Sequence, residues 1–419
     1  MTARETPTGF PEIRVPAVLT FAGLVLGFVV GIALRGSAAL EPVLAVAEPA
    51  GKMWLRALQL TILPLVIGLV YTGISQTLAA ANGGALARRA VGLFVVVLLF
   101  SGTMSAILVP GLLELAPIPQ SAAAALSGGT VADPGKVPGF AEILAAMMPE
   151  NIFAAAAAGA MLPLVLFVSL LALAATRIAE APRRQLALVF EGLAAAMMVV
   201  VGWVLMLAPI GVFGLAVSLG ASSGAEAIGG LAHYILVVSA AGLVVLVCGY
   251  VLAVSRGGQG LVAFSRAMLP VHAVAISTQS SLASLPAMLA ASRRLGVRES
   301  TADFVLPLAV AIFRATSPAM NMGVAIYAAH LMGVELSVAA LAAGVLVAFL
   351  VSLSSVSLPG TLSFVISVGP IAMAMGVPIA PLALLVAVEM LPDIMRTLGN
   401  VTMDVAVTTA VDRRSDAES

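Results

Sequence analysis

Apolar stretches long enough to cross a bilayer recur along this chain from one end to the other. They lie at about 15–35, 54–78, 90–116, 143–176, 188–220, 231–254, 301–332 and 376–411. A hydrocarbon core about 30 Å thick takes roughly 20 residues of helix. Within it every backbone N–H and C=O must be satisfied inside the protein, which leaves helices as the solution for segments of this length. The composition agrees: 61% of the 419 residues are hydrophobic and 10% are charged, with mean hydropathy +1.13. A soluble domain is nearer a quarter charged. The formal net charge is +0, which gives nucleic acid no reason to bind. The one cysteine, Cys248, excludes an internal disulfide framework and a thiolate metal cage, and it reads as packing. His233, His272 and His330 are scattered and read as interfacial or core residues rather than metal ligands. The polar start (Thr2, Arg4, Glu5, Glu12, Arg14) runs into an apolar stretch from Val15 to Leu34, which reads as a first span rather than a cleavable leader.

Two further apolar stretches, about 262–291 and 338–369, have Ser-rich, Pro-containing centres. Arginines fix how these run. Arg4 and Arg14, Arg88 and Arg89, the group Arg177, Arg183 and Arg184, and Arg256 and Arg266 mark alternate loops, and Arg413 and Arg414 mark the tail. The intervening loops are almost free of Lys and Arg, so the positive-inside rule predicts cytoplasmic termini in an inner, cytoplasmic membrane. Both flanks of 262–291 are arginine-bearing, with Arg293, Arg294 and Arg298 beyond it, whereas 338–369 has no Lys or Arg on either side. Each is therefore predicted to enter and return, from opposite faces. Such backbone is tolerated at membrane depth only where protein or a watery cavity covers it. The segment Ser277–Pro286 also resembles Ser352–Pro359, and each precedes a span with a deep arginine, Arg314 and Arg396. Paired broken segments in corresponding halves point to a transporter's binding site at the midplane.

The deep charges cluster. Glu389, Asp393, Arg396, Asn400 and Asp404 are spaced by 4, 3, 4 and 4 residues, which predicts one polar face on the last helix. Each ion at the bilayer centre costs about 2.5–3.5 kcal/mol even on the lenient insertion scale. Simple mutual neutralisation would account for one pair more readily than for the whole stripe. The chemistry suits an anionic substrate that also carries a cation. A guanidinium offers a planar fork to a carboxylate, Asn400 can donate to a second carboxylate, and Asp393 can accept from an ammonium. Backbone N–H groups at the broken tips can complete anion capture.

These residues resemble the glutamate transporter homologue family, the dicarboxylate/amino acid:cation symporters, over about 54–411. Leu207–Phe213 is similar to the family's Ala-Pro-Ile-Gly-Val-Phe signature. Asp393–Asp404 matches every specified position of Asp-x-x-Arg-Thr-x-x-Asn-Val-x-x-Asp. Ser280–Pro286 and Leu358–Gly360 are similar to the two hairpin tips. The resemblance implies an all-α integral membrane fold, with eight transmembrane helices and two re-entrant helical hairpins in inverted repeats. It implies a homotrimeric, elevator-type symporter with a scaffold at about 15–78 and 143–220 and a transport part at about 90–116 and 231–411. It also implies that Arg396 holds a side-chain carboxylate, Asp393 the amino group and Asn400 the α-carboxylate. Ser281, Ser317, Thr397 and the backbone from Leu358 to Gly360 would line the site. The acid at Asp393 favours acidic amino acids over plain dicarboxylates. No cofactor is implied beyond a coupling cation, H⁺ or Na⁺.

The resemblance fails in two separate helices. Where the family has Asn-Met-Asp-Gly-Thr, a sodium-coordinating motif, this chain reads Phe313-Arg314-Ala315-Thr316-Ser317. In the third span a Tyr and a Thr become Val97 and Phe100, and only Ser101 remains. Hard cations need oxygen ligands. Three readings stand: Arg314 replaces a bound sodium beside Asp404 or Asp393; Arg314 meets an extra substrate anion; or one sodium persists at Asn400 and Asp404. Under the first, transport is sodium-independent, and Glu389 or Asp404 is the protonatable group, since burial disfavours a lone carboxylate's charge. Rivals from other classes fare worse. No glycine-framed serine nucleophile appears, and Asp393 and Asp404 are roughly 16 Å apart along one helix, too far to share a proton. A channel or uncoupled sensor on the same fold is the remaining alternative.

Overall fold

The structure, a computed structural model, describes residues 16–119, 148–223, 226–353 and 360–416. It is helical throughout, with no strand among the described residues. In chain order the helices are α1 (Ala17–Ala33), α2 (Leu40–Ala81), α3 (Ala85–Leu115), α4 (Ile152–Ala157), α5 (Met161–Ala175), α6 (Glu180–Met206), α7 (Ala208–Ser223) and α8 (Glu226–Ser255). Then follow α9 (Leu261–Thr278), α10 (Ser281–Arg294), α11 (Glu299–Ile312), α12 (Ser317–Leu331), α13 (Val338–Leu353), α14 (Gly360–Ala374), α15 (Leu382–Leu385), a 3-10 turn (Val386–Val388) and α16 (Met390–Asp416). Six helical stretches among the described residues are long and apolar enough to cross a membrane, and α1, α5, α7 and α13 are apolar but shorter. Large apolar side chains face outward, as at Leu60 (78% exposed), Ile107 (73%) and Leu236 (70%), so the outer surface is suited to lipid and not to water.

Several continuous spans read from the sequence are broken in the structure, each for a local reason. The span at 188–220 divides into α6 and α7 at Leu207, because Pro209 has no N–H to continue the ladder. The span at 143–176 becomes α4 and α5, parted at Gly159 (φ +72°), with 143–147 outside the described residues. The span at 301–332 unwinds at Phe313–Thr316, between α11 and α12. The span at 376–411 begins as short turns, and its long helix starts only at Met390. Glu389 therefore precedes the helix that carries the rest of the stripe, although Asp393 N still donates to Glu389 O at 3.0 Å and keeps it in register.

Both hairpin segments fold back. Arms α9 and α10 pack together about a tip where Gln279 adopts the left-handed conformation, φ 49°. Ser280 caps α10 by accepting from Ala283 N at 3.2 Å. Arms α13 and α14 also pack together; their tip, 354–359, lies outside the described residues, and Leu358 with it. Each hairpin precedes a broken helix, α11/α12 or α15/α16. Two bodies of packing result. α1 lies along α7, and α2 along α5, α6 and α7. On the other side α12 sits among α3, α8, α13 and α14, buried at every residue but His330, while α8 lies along α16.

Candidate functional site

The unwound link Phe313–Thr316 faces the first turns of α16, and there the polar groups meet. Thr316 N and Oγ1 both donate to Asn400 Oδ1, at 3.0 and 2.8 Å, and the same hydroxyl lies 3.0 Å from Arg396 O. A helix that stops at Ile312 and restarts at Ser317 leaves backbone groups without intrahelical partners, and Asn400 takes one of them. The restart has its own cause, since Pro318 lies in the first turn of α12, where a proline is tolerated.

Arg396 is fully buried. Its Nη2 is held by Glu389, Nη1 donates to Asn321 Oδ1 at 2.7 Å, and Nε lies 3.3 Å from Asp393 Oδ1. Tyr234 of α8 donates its hydroxyl to Glu389 Oε2 at 3.2 Å. Breaking such a buried set by removing one partner typically costs about 3–5 kcal/mol. Arg314, 7% exposed, lies within electrostatic reach of Asp393, Arg396 and Asp404. Asp404 is 1% exposed, and neither carboxylate oxygen meets a hydrogen-bond donor among the described residues. The amide nitrogens of Asn321 and Asn400, which are donors, and the Ser317 hydroxyl are likewise buried without a hydrogen-bond partner among the described residues. Three acids thus face two arginines in a sheath of apolar residues, with polar atoms still to be met.

The structure brings together Glu389, Asp393 and Arg396, and places Arg314, Asn400, Ser317 and Asp404 along the same seam. Asn400 is joined to Thr316 and not to the arginines. Thr397 is buried and spends its hydroxyl on Asp393 O at 3.0 Å. Ser281 is the first residue of α10, and the tip beside it reaches α16 through Gln279 Nε2, which donates to Met390 O at 3.3 Å. Gly360 opens α14. Asn321, Thr316 and Tyr234 escaped the sequence reading. Asn321 was discoverable, as the lone amide inside an apolar run, and intramembrane polar residues mark function or pairing. The histidines are tied to protein atoms: His233 to Ala116 O at 2.9 Å and Tyr327 Oη at 3.2 Å, His272 to Thr402 Oγ1 at 2.8 Å, and His330 to Ile326 O at 3.0 Å.

The link Phe313–Ser317 and the facing part of α3 are held by apolar and hydroxyl contacts. Phe313 stacks on Phe94 of α3 with ring centroids 4.3 Å apart and planes 9° from parallel. Ser101 donates to Ala315 O at 2.6 Å, and one turn on Ser105 donates to Ala319 O at 2.6 Å. Of the two expected replacements in α3, only Val97 faces inward. Phe100 is 50% exposed, because residues 94, 97, 98, 101 and 105 make up the buried stripe and position 100 falls off it. No group of three or more His, Cys, Asp or Glu side chains suited to a resident metal occurs among the described residues.

The model of the sodium:dicarboxylate symporter family matches residues 17–414. The chain belongs to that family. As a family member this symporter is an all-α, multi-pass membrane transporter and not an enzyme. It is 28% identical over 396 residues to the proton/sodium-glutamate symport protein of Bacillus subtilis, covering 92% of this chain and 89% of that protein. It is 26% identical over 359 residues to the proton/glutamate-aspartate symporter of Escherichia coli (84% and 82% covered), and 25% over 402 residues to C4-dicarboxylate transport protein 1 of Pseudomonas aeruginosa (93% and 86%).

Proposed function

We propose that this symporter carries acidic amino acids, with C4-dicarboxylates as the second choice, and that it does so without sodium. The observation that carries the substrate class is a buried guanidinium, Arg396, beside an acid, Asp393, at the break between two helices. The guanidinium suits a carboxylate and the acid suits an ammonium, so one ligand that bears both satisfies the seam. Unpaired donors at Asn400 and Asn321 and the Ser317 hydroxyl offer further contacts. The relatives named for glutamate, aspartate and C4-dicarboxylates support this class.

Arg314 stands in for a cation. It lies between Asp393 and Asp404 in charge terms, and the aromatic stack and the Ser101 bond occupy the surroundings that oxygen ligands would need. One observation favours a rival: Asp404 keeps both oxygens unpaired, which suits a single residual sodium. The bodies built on α1–α2–α5–α7 and on α3–α8–α16 would serve as scaffold and elevator car, in a homotrimer with cytoplasmic termini. Uptake of aspartate and succinate into proteoliposomes, with sodium replaced by choline, tests the reading. Uptake is expected to persist in choline and to collapse in Arg314→Met. Full loss of wild-type uptake in choline would leave the sodium-bound alternative standing instead.

A further inference from the structure

The guanidinium that the substrate reading needs is already engaged. Glu389 holds Nη2 of Arg396, Asp393 lies 3.3 Å from Nε, and Asn321 takes Nη1. A guanidinium has five N–H groups, so contact points remain, but its charge is already matched twice over. A substrate carboxylate docking there would set three carboxylates about one cation in a site closed to water. Arg314 does not absorb the surplus, because it faces Asp393 and Asp404 as well as Arg396. One of the carboxylates has to give up its charge. Asp393 is the group reserved for the ammonium, and it has two arginines within electrostatic reach. Glu389 has Arg396 alone, and once parted from it would keep a single neutral partner, the Tyr234 hydroxyl at 3.2 Å.

We propose that Glu389 is a tethered carboxylate that occupies Arg396 in the empty carrier, is displaced by the substrate's carboxylate, and takes up a proton as it leaves. The proposal rests on the reading that Arg396 binds substrate. Its balance is simple: one substrate carboxylate enters the seam, one proton from solvent adds to a Glu389 oxygen, and the charge of the seam changes only by whatever else the substrate carries. Tyr234 is the positioning residue. A phenol both donates and accepts, so it donates to the ionised carboxylate and can turn to accept from the neutral acid. The titratable and charged groups facing Glu389 are Arg396 and Asp393 on α16 and Tyr234 on α8, with Tyr327 of α12 packed edge-on against Tyr234, ring centroids 5.3 Å apart. The carrier would then couple substrate to a proton by competition at one arginine.

The test is sodium-free binding of aspartate to the purified full-length protein, by calorimetry in buffers of different ionisation enthalpy across about pH 5 to 8. Wild type is expected to take up about one proton per aspartate bound, and its Kd to weaken about tenfold per pH unit on the alkaline side. Glu389→Gln is expected to bind with no proton uptake and a flat Kd. Tyr234→Phe is expected to keep the proton count but to move the pH at which binding weakens, a change that a purely structural role would not produce. Aspartate binding to wild type without proton uptake overturns the proposal, and so does an unaltered proton count in Glu389→Gln. If wild type binds neither aspartate nor succinate at any pH, the substrate reading has failed instead, and this inference falls with it.

Discussion

The α1–α7 pair and the link between α11 and α12 both hold backbone segments close together within the membrane, by opposite means. Along α1, Gly23 and Gly27 present bare backbone to α7. A Cβ added at Gly27 would lie 2.6 Å from Phe213 O and 2.7 Å from Ala216 Cβ, and one at Gly23 would lie 2.5 Å from Pro209 O. Small residues let membrane helices approach where the hydrophobic effect offers no drive. The α11–α12 link instead meets α16 through hydrogen bonds and ions: Thr316 to Asn400, and Arg396 to Glu389, Asp393 and Asn321. A steric seam has one good arrangement. A polar seam can exchange a protein partner for a ligand or a proton without losing its contacts. The first therefore suits a part that keeps its shape and the second a part that binds and releases.

The sharpest break of this contrast is Arg396→Ala. It leaves Glu389 buried with no arginine within electrostatic reach among the described residues and Asp393 with Arg314 alone, and about 3–5 kcal/mol of stability is expected to go with it. Aspartate and succinate uptake should vanish as well. Denaturation in detergent together with an uptake assay reads both effects. Unchanged uptake would remove Arg396 from the site.

Gly27→Val comes next. The added methyls meet a backbone carbonyl and a neighbouring Cβ, neither of which is a flexible side-chain end. Overpacking of this kind costs about 1–3 kcal/mol. The melting temperature is expected to fall while aspartate Kd in the surviving protein stays at the wild-type value, because the atoms nearest a Cβ at Gly27 all belong to Phe213, Ala216 and Val217 of α7. A changed Kd with an unchanged melting temperature would reverse the assignment of the two seams.

How much of each seam the sequence discloses follows from their physics. The polar one is largely legible: charges inside apolar runs are rare enough to stand out, and the helical spacing of Asp393, Arg396 and Asn400 places them on one face. The Ser-rich tip of the first hairpin is legible too, and Ser280 caps α10 as such a residue should. The break at Phe313–Thr316 is harder, because none of those four residues is a helix breaker. The available signal was Thr316-Ser317-Pro318, a start pattern for a new helix. Pro392 marks the late start of α16 in the same way. What stays hidden is partner choice across long separations. Nothing local joins Tyr234 to Glu389, or tells that Asn400 will serve Thr316; only packing decides which buried groups meet. The outward turn of Phe100 was readable from periodicity, since position 100 leaves the stripe shared by 97 and 101.

The smallest expected effect lies where the two kinds of packing touch. Ser101 donates to Ala315 O at 2.6 Å beside the Phe94–Phe313 stack, so one hydroxyl separates an apolar contact from an unwound carbonyl. Ser101→Ala removes that donor, at a net cost of about 1 kcal/mol. Because the stack and Arg314 remain, uptake is expected to stay independent of sodium in this variant. Measuring uptake in sodium and in choline side by side checks it. Stimulation by sodium would mean that the Ser101 proton on Ala315 O, and not the Arg314 guanidinium alone, had been keeping a cation out.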